Sequence, residues 1–298
     1  MPKLLVICGP TASGKTSLAV KCAKALDTEI ISADSMLVYK GLDIGTAKPT
    51  EEEKEGIKHH LIDVASPLES FSVSDYEKLA LPIAERLLKE GKTPVVCGGT
   101  GFYVRALLYK SQFGNAGADE AVRKKYEAVL SDRGAVYLHK LLEDRDPESA
   151  KILHFNDTKR VIRALEIFEV TGKKKSEQKD EEIPRFDFVS ISVDFPRAAL
   201  YERIERRVDK MFEDGLKEEV KGLLARGIDG KRQCMQGIGY KEVAEGLRLG
   251  LSDEEIAEAV KKNTRNYAKR QITFFKRMQN HMLLSPQEAA AENVLSLL

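Results

Sequence analysis

The chain is 298 residues long, 42% hydrophobic and 32% charged, with 48 basic side chains against 47 acidic ones and a formal net charge of +1. That composition is globular, and its charge balance does not of itself announce a nucleic-acid binder. No run approaches the roughly 18 apolar residues of a membrane span, and the four cysteines (Cys8, Cys22, Cys97, Cys234) form no C-x-x-C pair, so structural zinc is not expected; a cytoplasmic protein with reduced thiols and no membrane contact is.

An apolar run, Leu4–Cys8, predicts a first strand. Directly after it Gly9, Pro10, Thr11, Ala12, Ser13, Gly14, Lys15 and Thr16 fit the G-x-x-x-x-G-K-[ST] phosphate-binding loop. The glycines let backbone N–H groups converge on an anion and the following helix turns its positive end to the same point. Lys15 adds a point charge, and the Thr16 hydroxyl can hold Mg2+. The loop reads as a seat for a diphosphate or triphosphate, without saying whose. A helix is expected over about 14–26, with Leu18, Cys22 and Leu26 on its buried face.

A short apolar segment, 29–32, leads into a loop-like stretch carrying Asp34, Ser35, Tyr39 and Asp43. In open α/β sheets ligands sit beyond the carboxyl ends of the strands, which makes Asp34 a catalytic candidate by position. His59 and His60 precede an apolar run at 61–64; with no third ligand at a recognisable spacing they read as ordinary packing rather than a metal site. A helix over about 74–89 follows, then 93–97 as a third strand ending in GGTGFY. There Gly98, Gly99 and Gly101 let backbone approach a ligand, and Thr100 offers a hydroxyl.

From about 112 to 184 the pattern turns helical, at 119–130, 135–142, 147–154 and 157–171, and reads as an inserted helical subdomain. Within it Lys159, Arg160 and Arg163 fall at helical spacings, and the charged tract 173–182 is expected as an exposed loop. Strand-like alternation returns at Phe188–Val193. The helix expected over 197–212 carries Arg203, Arg206 and Arg207, one of which could return over the phosphates; the spacing leaves open which. After MQGIGYKE (235–242) a helix should open at Ser252, with Glu255 three residues on as its capping partner. Residues 261–280 hold seven Lys or Arg and no acidic residue. Lys262, Arg265, Lys269 and Lys276 share one face of that helix and Tyr267 and Phe274 another, which suits phosphate contacts on one side and packing on the other. A last strand-like run stands at 282–284.

Together these blocks resemble the bacterial tRNA dimethylallyltransferases of the IPP transferase family. The carriers are GPTASGKT (9–16), ISADS (31–35), YKGLDIGTAKP (39–49), HHLID (59–63), GGTGFYVRALL (98–108), ND-x-KR-x-x-RALE (156–166), GIGYKE (237–242) and KRQITFFKR (269–277), in order over nearly the whole chain. Leu37 departs from the pattern, where many members have Gln. The resemblance implies an α/β fold: a P-loop nucleotide-kinase-like parallel sheet flanked by helices, with an inserted all-helical subdomain, the core at 1–111 and 186–298 and the insertion at 112–185. It implies transfer of the dimethylallyl (isopentenyl) group from dimethylallyl diphosphate to the exocyclic amine of the adenosine 3′ of the anticodon in tRNA, with release of diphosphate. Mg2+ is the implied cofactor, the tRNA anticodon stem-loop the partner, and a monomer the expected state.

Carried over residue by residue, the loop from Gly9 to Thr16 binds the diphosphate, with Lys15 and Arg203 meeting its charge and Thr16 holding Mg2+. Asp34 is the general base on the adenine amine, and Thr100 contacts the base. Ser35, Met36, Leu37, Arg123, Lys159, Arg160, Val161, Ile162, Arg163, Gly237, Ile238, Gly239, Tyr240, Lys241, Lys269, Arg270, Lys276 and Arg277 correspond to tRNA contacts. Three rival readings differ in one feature each. A metabolite kinase would be helped by an acidic residue ending a strand, where 93–97 runs into Gly98. A prenyltransferase for free adenine nucleotides would not need the basic helix, and a nucleotide-gated RNA-binding protein would not need Asp34 and Thr100 around one mouth.

Overall fold

The computed structural model describes residues 3–110, 119–177 and 183–298. They cluster into two units, Met1–Tyr109 with Pro184–Leu298, and Lys110–Ile183. The expected start of the insertion near Gln112 and the end of the charged tract 173–182 lie outside the described residues; Lys175–Glu177, inside it, forms a 3-10 turn. Among the described residues no helix is long and apolar enough to cross a membrane.

The first unit is built on a parallel sheet of six strands: β1 (Leu4–Cys8), β2 (Ile30–Ser32), β3 (His59–His60), β4 (Val95–Gly98), β7 (Phe188–Val193) and β8 (His281–Leu284), in the order β3-β2-β4-β1-β7-β8. Short strands β5 (Tyr109–Lys110) and β6 (Ile183–Pro184) form a separate pair. Every residue of β1 is buried, as expected for a central parallel strand covered on both faces. Its side chains alternate between two cores. Leu4, Val6 and Cys8 pack with residues of α3 (Val73–Lys89), α4 (Gly101–Leu108), α10 (Tyr240–Leu249) and α11 (Asp253–Phe275), while Leu5 and Ile7 pack with residues of α1 (Lys15–Ala25) and α12 (Ala291–Leu295). The remaining helices of this unit are the short α2 (Glu51–Lys54), α8 (Arg197–Glu213) and α9 (Leu216–Ala225). The expected capping of α11 is present: Ser252 Oγ accepts from Glu255 N at 3.2 Å, and Ser252 N donates to the Glu255 carboxylate at 2.9 Å.

One strand of the six-stranded sheet, and the short pair β5 and β6, escaped the sequence reading. Beside β2 the extended pair is His59–His60, not an apolar segment, because the next residues leave the sheet: Leu61 and Asp63 take positive φ (63° and 57°). The strand over 93–97 is therefore the fourth. His60 Nε2 meets the Glu29 carboxylate at 2.6 Å and His59 Nδ1 meets Ile57 O at 2.8 Å, so both rings serve packing at the sheet edge.

In the second unit, α5 (Glu120–Arg145) is two helices divided at Gly134 (φ 79°, ψ 171°), close to the expected gap, and α6 (Pro147–Ile152) and α7 (Thr158–Thr171) complete it. Tyr126, Leu138, Leu142, Val161 and Leu165 form its own core.

At the outer strand β8, the His281 ring sits between two hydroxyls of β7, with Nδ1 2.8 Å from Ser190 Oγ and Nε2 2.9 Å from Ser192 Oγ. Burial pushes its pKa from 6.5 down to about 4. The unfolded ring then takes up a proton at a higher pH than the folded one, so stability should be full above about pH 6.5, fall on acidification, and level off below about pH 4, with a ceiling of about 3 kcal/mol. Urea unfolding at pH 7 and 4.5 checks this: His281→Gln should flatten the loss, and an unchanged slope would assign the acid sensitivity to other groups.

Candidate active site

The carboxyl ends of β1, β2 and β4 open into a cleft of about 420 Å3 in the first unit, within the range of small-molecule sites. Its floor is the turn between β1 and α1. Gly9 (φ 123°), Ala12 (φ 62°) and Gly14 (φ 80°) hold left-handed backbone there, a path that costs glycine little, and the turn brings Thr11, Lys15 and Thr16 to the wall. Lys15 Nζ donates to Pro10 O at 3.1 Å, folding the side chain back over its own loop. Ser13 is buried beneath.

β2 delivers Asp34. Its Oδ1 accepts from Met36 N at 2.9 Å, an Asx turn after which Ser35, Met36 and Leu37 line the cleft beside it. Thr100, just past β4, is engaged with that turn: its Oγ1 accepts from Ser35 N at 2.9 Å and donates to Ser35 Oγ at 3.2 Å. The Thr100 hydroxyl thus braces the segment that presents Asp34.

α8 separates the three candidate arginines. Arg203 Nε donates to Ala12 O at 2.7 Å, and its guanidinium lies over the Phe195 ring at 4.9 Å. Arg206 faces the exposed Glu202. Arg207 enters the cleft and donates to Thr46 O at 3.3 Å. The resemblance pointed to Arg203 alone; the i, i+4 spacing to Arg207 was the signal that both share a face.

Burial is the main cause that holds both Lys15 and Arg207 below their ordinary pKa values, and the charge of Asp34 opposes it in each. Among the described residues that line the cleft, Asp34 is the one carboxylate. Cys97, also on the wall, is pushed up to about 11 by burial and stays a neutral thiol. Two desolvated cations against one carboxylate leave the site short of negative charge, which an anion would complete.

A second wall, Gly45 to Ala47, is fixed by a residue the sequence reading did not single out. Glu219 on α9 accepts from Asp43 N and Ile44 N at 2.9 Å each, from Gly45 N at 3.2 Å and from Tyr240 Oη at 2.6 Å. Tyr240, which also borders the cleft, is buried and its hydroxyl is bonded to Glu219, so it forms part of the frame. Gly237 and Ile238 line the cleft, Gly239 is buried at the start of α10, and Lys241 is exposed.

From α11, Tyr267, Arg270 and Gln271 line the cleft, with the Arg270 guanidinium over the Tyr267 ring at 5.5 Å. Gln271 was also missed. An uncharged polar residue four after Tyr267, inside a basic run, was its only mark. The basic face is smaller than the spacing suggested. Arg265 pairs with Glu205 at 2.6 Å and Lys261 with Asp209 at 2.7 Å, both on α8, whereas Lys262, Lys269, Arg270, Lys276 and Arg277 are exposed. Phe274 packs away from this face, edge-on to Phe102 at 5.6 Å.

In the second unit Glu166, fully buried, accepts from Asp119 N at 2.8 Å and Arg123 Nε at 2.9 Å, and meets Arg163 Nη1 at 2.7 Å. Burial alone would raise its pKa, but these partners hold it below the usual carboxylate range. Lys159 and Arg160 are exposed, Arg160 3.2 Å from Asp157. Val161 and Ile162 are buried in the unit's own core.

Residues 37–278 match the IPP transferase family. The chain is 47% identical over 291 residues to a tRNA dimethylallyltransferase of Acetivibrio thermocellus, covering 97% of this chain and 93% of that one. Among solved structures it is similar to the full-length tRNA isopentenylpyrophosphate transferase of Bacillus halodurans (TM-score 0.73, 42% identity, covering 100% of this chain and 94% of that one). It is also similar to a eukaryotic dimethylallyltransferase acting on tRNA (TM-score 0.81, 31% identity, 97% and 74%).

Removing the Glu219 carboxylate strands three backbone donors and a buried hydroxyl. Glu219→Ala should lower stability by about 2–4 kcal/mol in denaturant unfolding. Glu219→Gln, which keeps two acceptor lone pairs, should lose less, and equal losses would mean that packing, not the bonds, holds the wall.

Proposed function

The chain belongs to the IPP transferase family, and on that premise we propose that it transfers a dimethylallyl group from dimethylallyl diphosphate to the exocyclic amine of the adenosine 3′ of the anticodon in tRNA. One observation carries the reading at the level of the site: a phosphate-binding loop, two half-buried cations and, among the described residues, a single lining carboxylate share one cleft.

Each residue then has a task. The diphosphate sits on the loop, with N–H groups of residues 12–16, Lys15 and Arg207 around it, while Arg203 holds the loop through Ala12 O. The five-carbon chain lies against the apolar wall of Ile204, Val208, Met211 and Val260. The adenine amine forms a bond to the terminal allylic carbon as the carbon–oxygen bond to diphosphate breaks. Asp34 takes the proton the amine loses, and the leaving diphosphate keeps the electron pair. The negative charge that develops on the leaving oxygen falls among the groups that burial has left short of an anion.

Mg2+ fits the donor set in a limited way. Among the described residues no group of three His, Cys, Asp or Glu could cage a metal, so the ion would take the Thr16 hydroxyl and oxygens of the diphosphate itself, the common pattern for Mg2+ at phosphates. When bound it would neutralise part of the charge on the leaving group. A target base inside a folded loop must leave its stack, at a cost of a few kcal/mol that phosphate contacts offset. Lys269, Arg270, Lys276 and Arg277 on α11, and Arg123, Lys159, Arg160 and Arg163 in the second unit, are assigned to those contacts.

Labelled dimethylallyl diphosphate offered with Mg2+ to unmodified tRNA and, separately, to AMP should place label on the tRNA adenosine beside the anticodon; label on AMP alone would overturn the RNA substrate. Asp34→Asn keeps the oxygen that accepts from Met36 N and removes the charge. Turnover should fall by roughly 10²–10⁴ with tRNA affinity kept, and near wild-type turnover would remove Asp34 as the base. Lys269→Ala should weaken tRNA binding and reduce the slope of log affinity against log salt by up to about one unit; a slope equal to wild type would show that Lys269 touches no phosphate.

A further inference from the structure

Gln271 does more than line the cleft. Its side chain is buried, although it lies on α11 in the basic run, between Arg270 and Ile272. Both ends of the amide are used. Oε1 accepts from Thr11 N at 2.9 Å, and Nε2 donates to Gly99 O at 2.9 Å. The first partner is a backbone donor of the phosphate loop, and the second is the carbonyl of the glycine turn that follows β4. Thr11 follows β1 and Gly99 follows β4, which pair side by side in the sheet, so one side chain spans the gap between the two strand ends. The turn is shaped to receive it: a Cβ on Gly99 would stand 2.2 Å from Gln271 Nε2.

The two bonds also settle which way the amide points. A donor must face Gly99 O and an acceptor must face Thr11 N, and only the observed orientation gives both. An aliphatic residue of the same length would leave two backbone groups unpaired. A glutamate would still accept from Thr11 N, but its second oxygen would face the Gly99 carbonyl with no proton between them.

We propose that Gln271 is a positioning residue for the diphosphate: it sets the phosphate loop at a fixed distance from the turn after β4, so that the loop's N–H groups are aimed before the donor arrives. It need not touch the substrate. Its effect should therefore fall on donor binding and on the chemical step, and not on RNA binding, although its neighbours Lys269 and Arg270 are exposed. The inference rests on the reading of this loop as the diphosphate site.

The test measures donor KM, kcat and tRNA affinity for Gln271→Met and Gln271→Glu, with Lys15→Ala as a control for the underlying reading. Gln271→Met should raise the donor KM or lower kcat by about tenfold with tRNA affinity within about twofold of wild type; equal loss of tRNA affinity would mean that the helix has merely shifted, and would overturn the assignment. Gln271→Glu adds a readout that loss of packing cannot produce. Once protonated, the glutamate can donate to Gly99 O again, so its activity relative to wild type should climb as the pH is lowered. A flat ratio across pH 5–8, or wild-type donor kinetics in both variants, would sink the proposal. Retained donor binding in Lys15→Ala would instead sink the diphosphate reading on which it stands.

Discussion

Taking Lys15 and Arg207 out of water in one cleft is the constraint on which the site depends. A buried cation is costly unless something pairs with it, and here the only carboxylate among the described lining residues is Asp34. Asp34 raises both pKa values, but burial outweighs it. The protein folds with that imbalance because neighbouring elements absorb the two side chains by hydrogen bonds to carbonyl oxygens, Pro10 O for Lys15 and Thr46 O for Arg207. Those are weak partners beside a phosphate group, so the fold leaves the pair of cations open to an anion.

The sheet order explains how residues so distant in sequence come to share this space. β1 lies between β4 and β7, and the chain after β1 crosses to β2 on the far side of β4. Loops from β1, β2 and β4 therefore open on the same edge, and α8 and α11 close the mouth from the second half of the unit. The frame is tied by single polar side chains with several partners each: Thr100 to the Asp34 turn, Glu219 to the wall at Gly45, Gln271 to the phosphate loop. Such groups leave few alternatives, because losing one strands several buried donors at once.

Much of this was legible from residue order. The phosphate loop declares itself because its chemistry needs glycines, lysine and a hydroxyl at fixed spacing, and Asp34 follows from the rule that parallel sheets present their loops at the carboxyl ends. β1 and β7 stand where their apolar runs predict, and Ser252 caps its helix as its capping box foretells. What stayed hidden was long-range. The backbone partners of Glu219 and Gln271 lie more than 170 residues away, and no periodicity records them. A two-residue strand of histidines, His59–His60, carries no apolar signature. A matched block does not separate inward from outward side chains either: Val161, Ile162 and Tyr240 are buried. Arg265 left the basic face for a reason only the fold supplies, the nearness of Glu205.

The bond between Thr11 and Gln271 closes a loop of 260 residues. Contacts of that separation form late, because the chain between them must first lose its freedom. A ribosome making this protein would release the phosphate loop 260 residues ahead of Gln271 on α11. The loop's sequence would thus exist, while those residues are made, without the side chain that fixes its aim. Phosphate compounds are abundant in cells, and a loop that reached its working shape at once would be open to them while the rest of the cleft was missing. Placing this tie 260 residues downstream of the loop makes the loop's aim depend on the folding of α11.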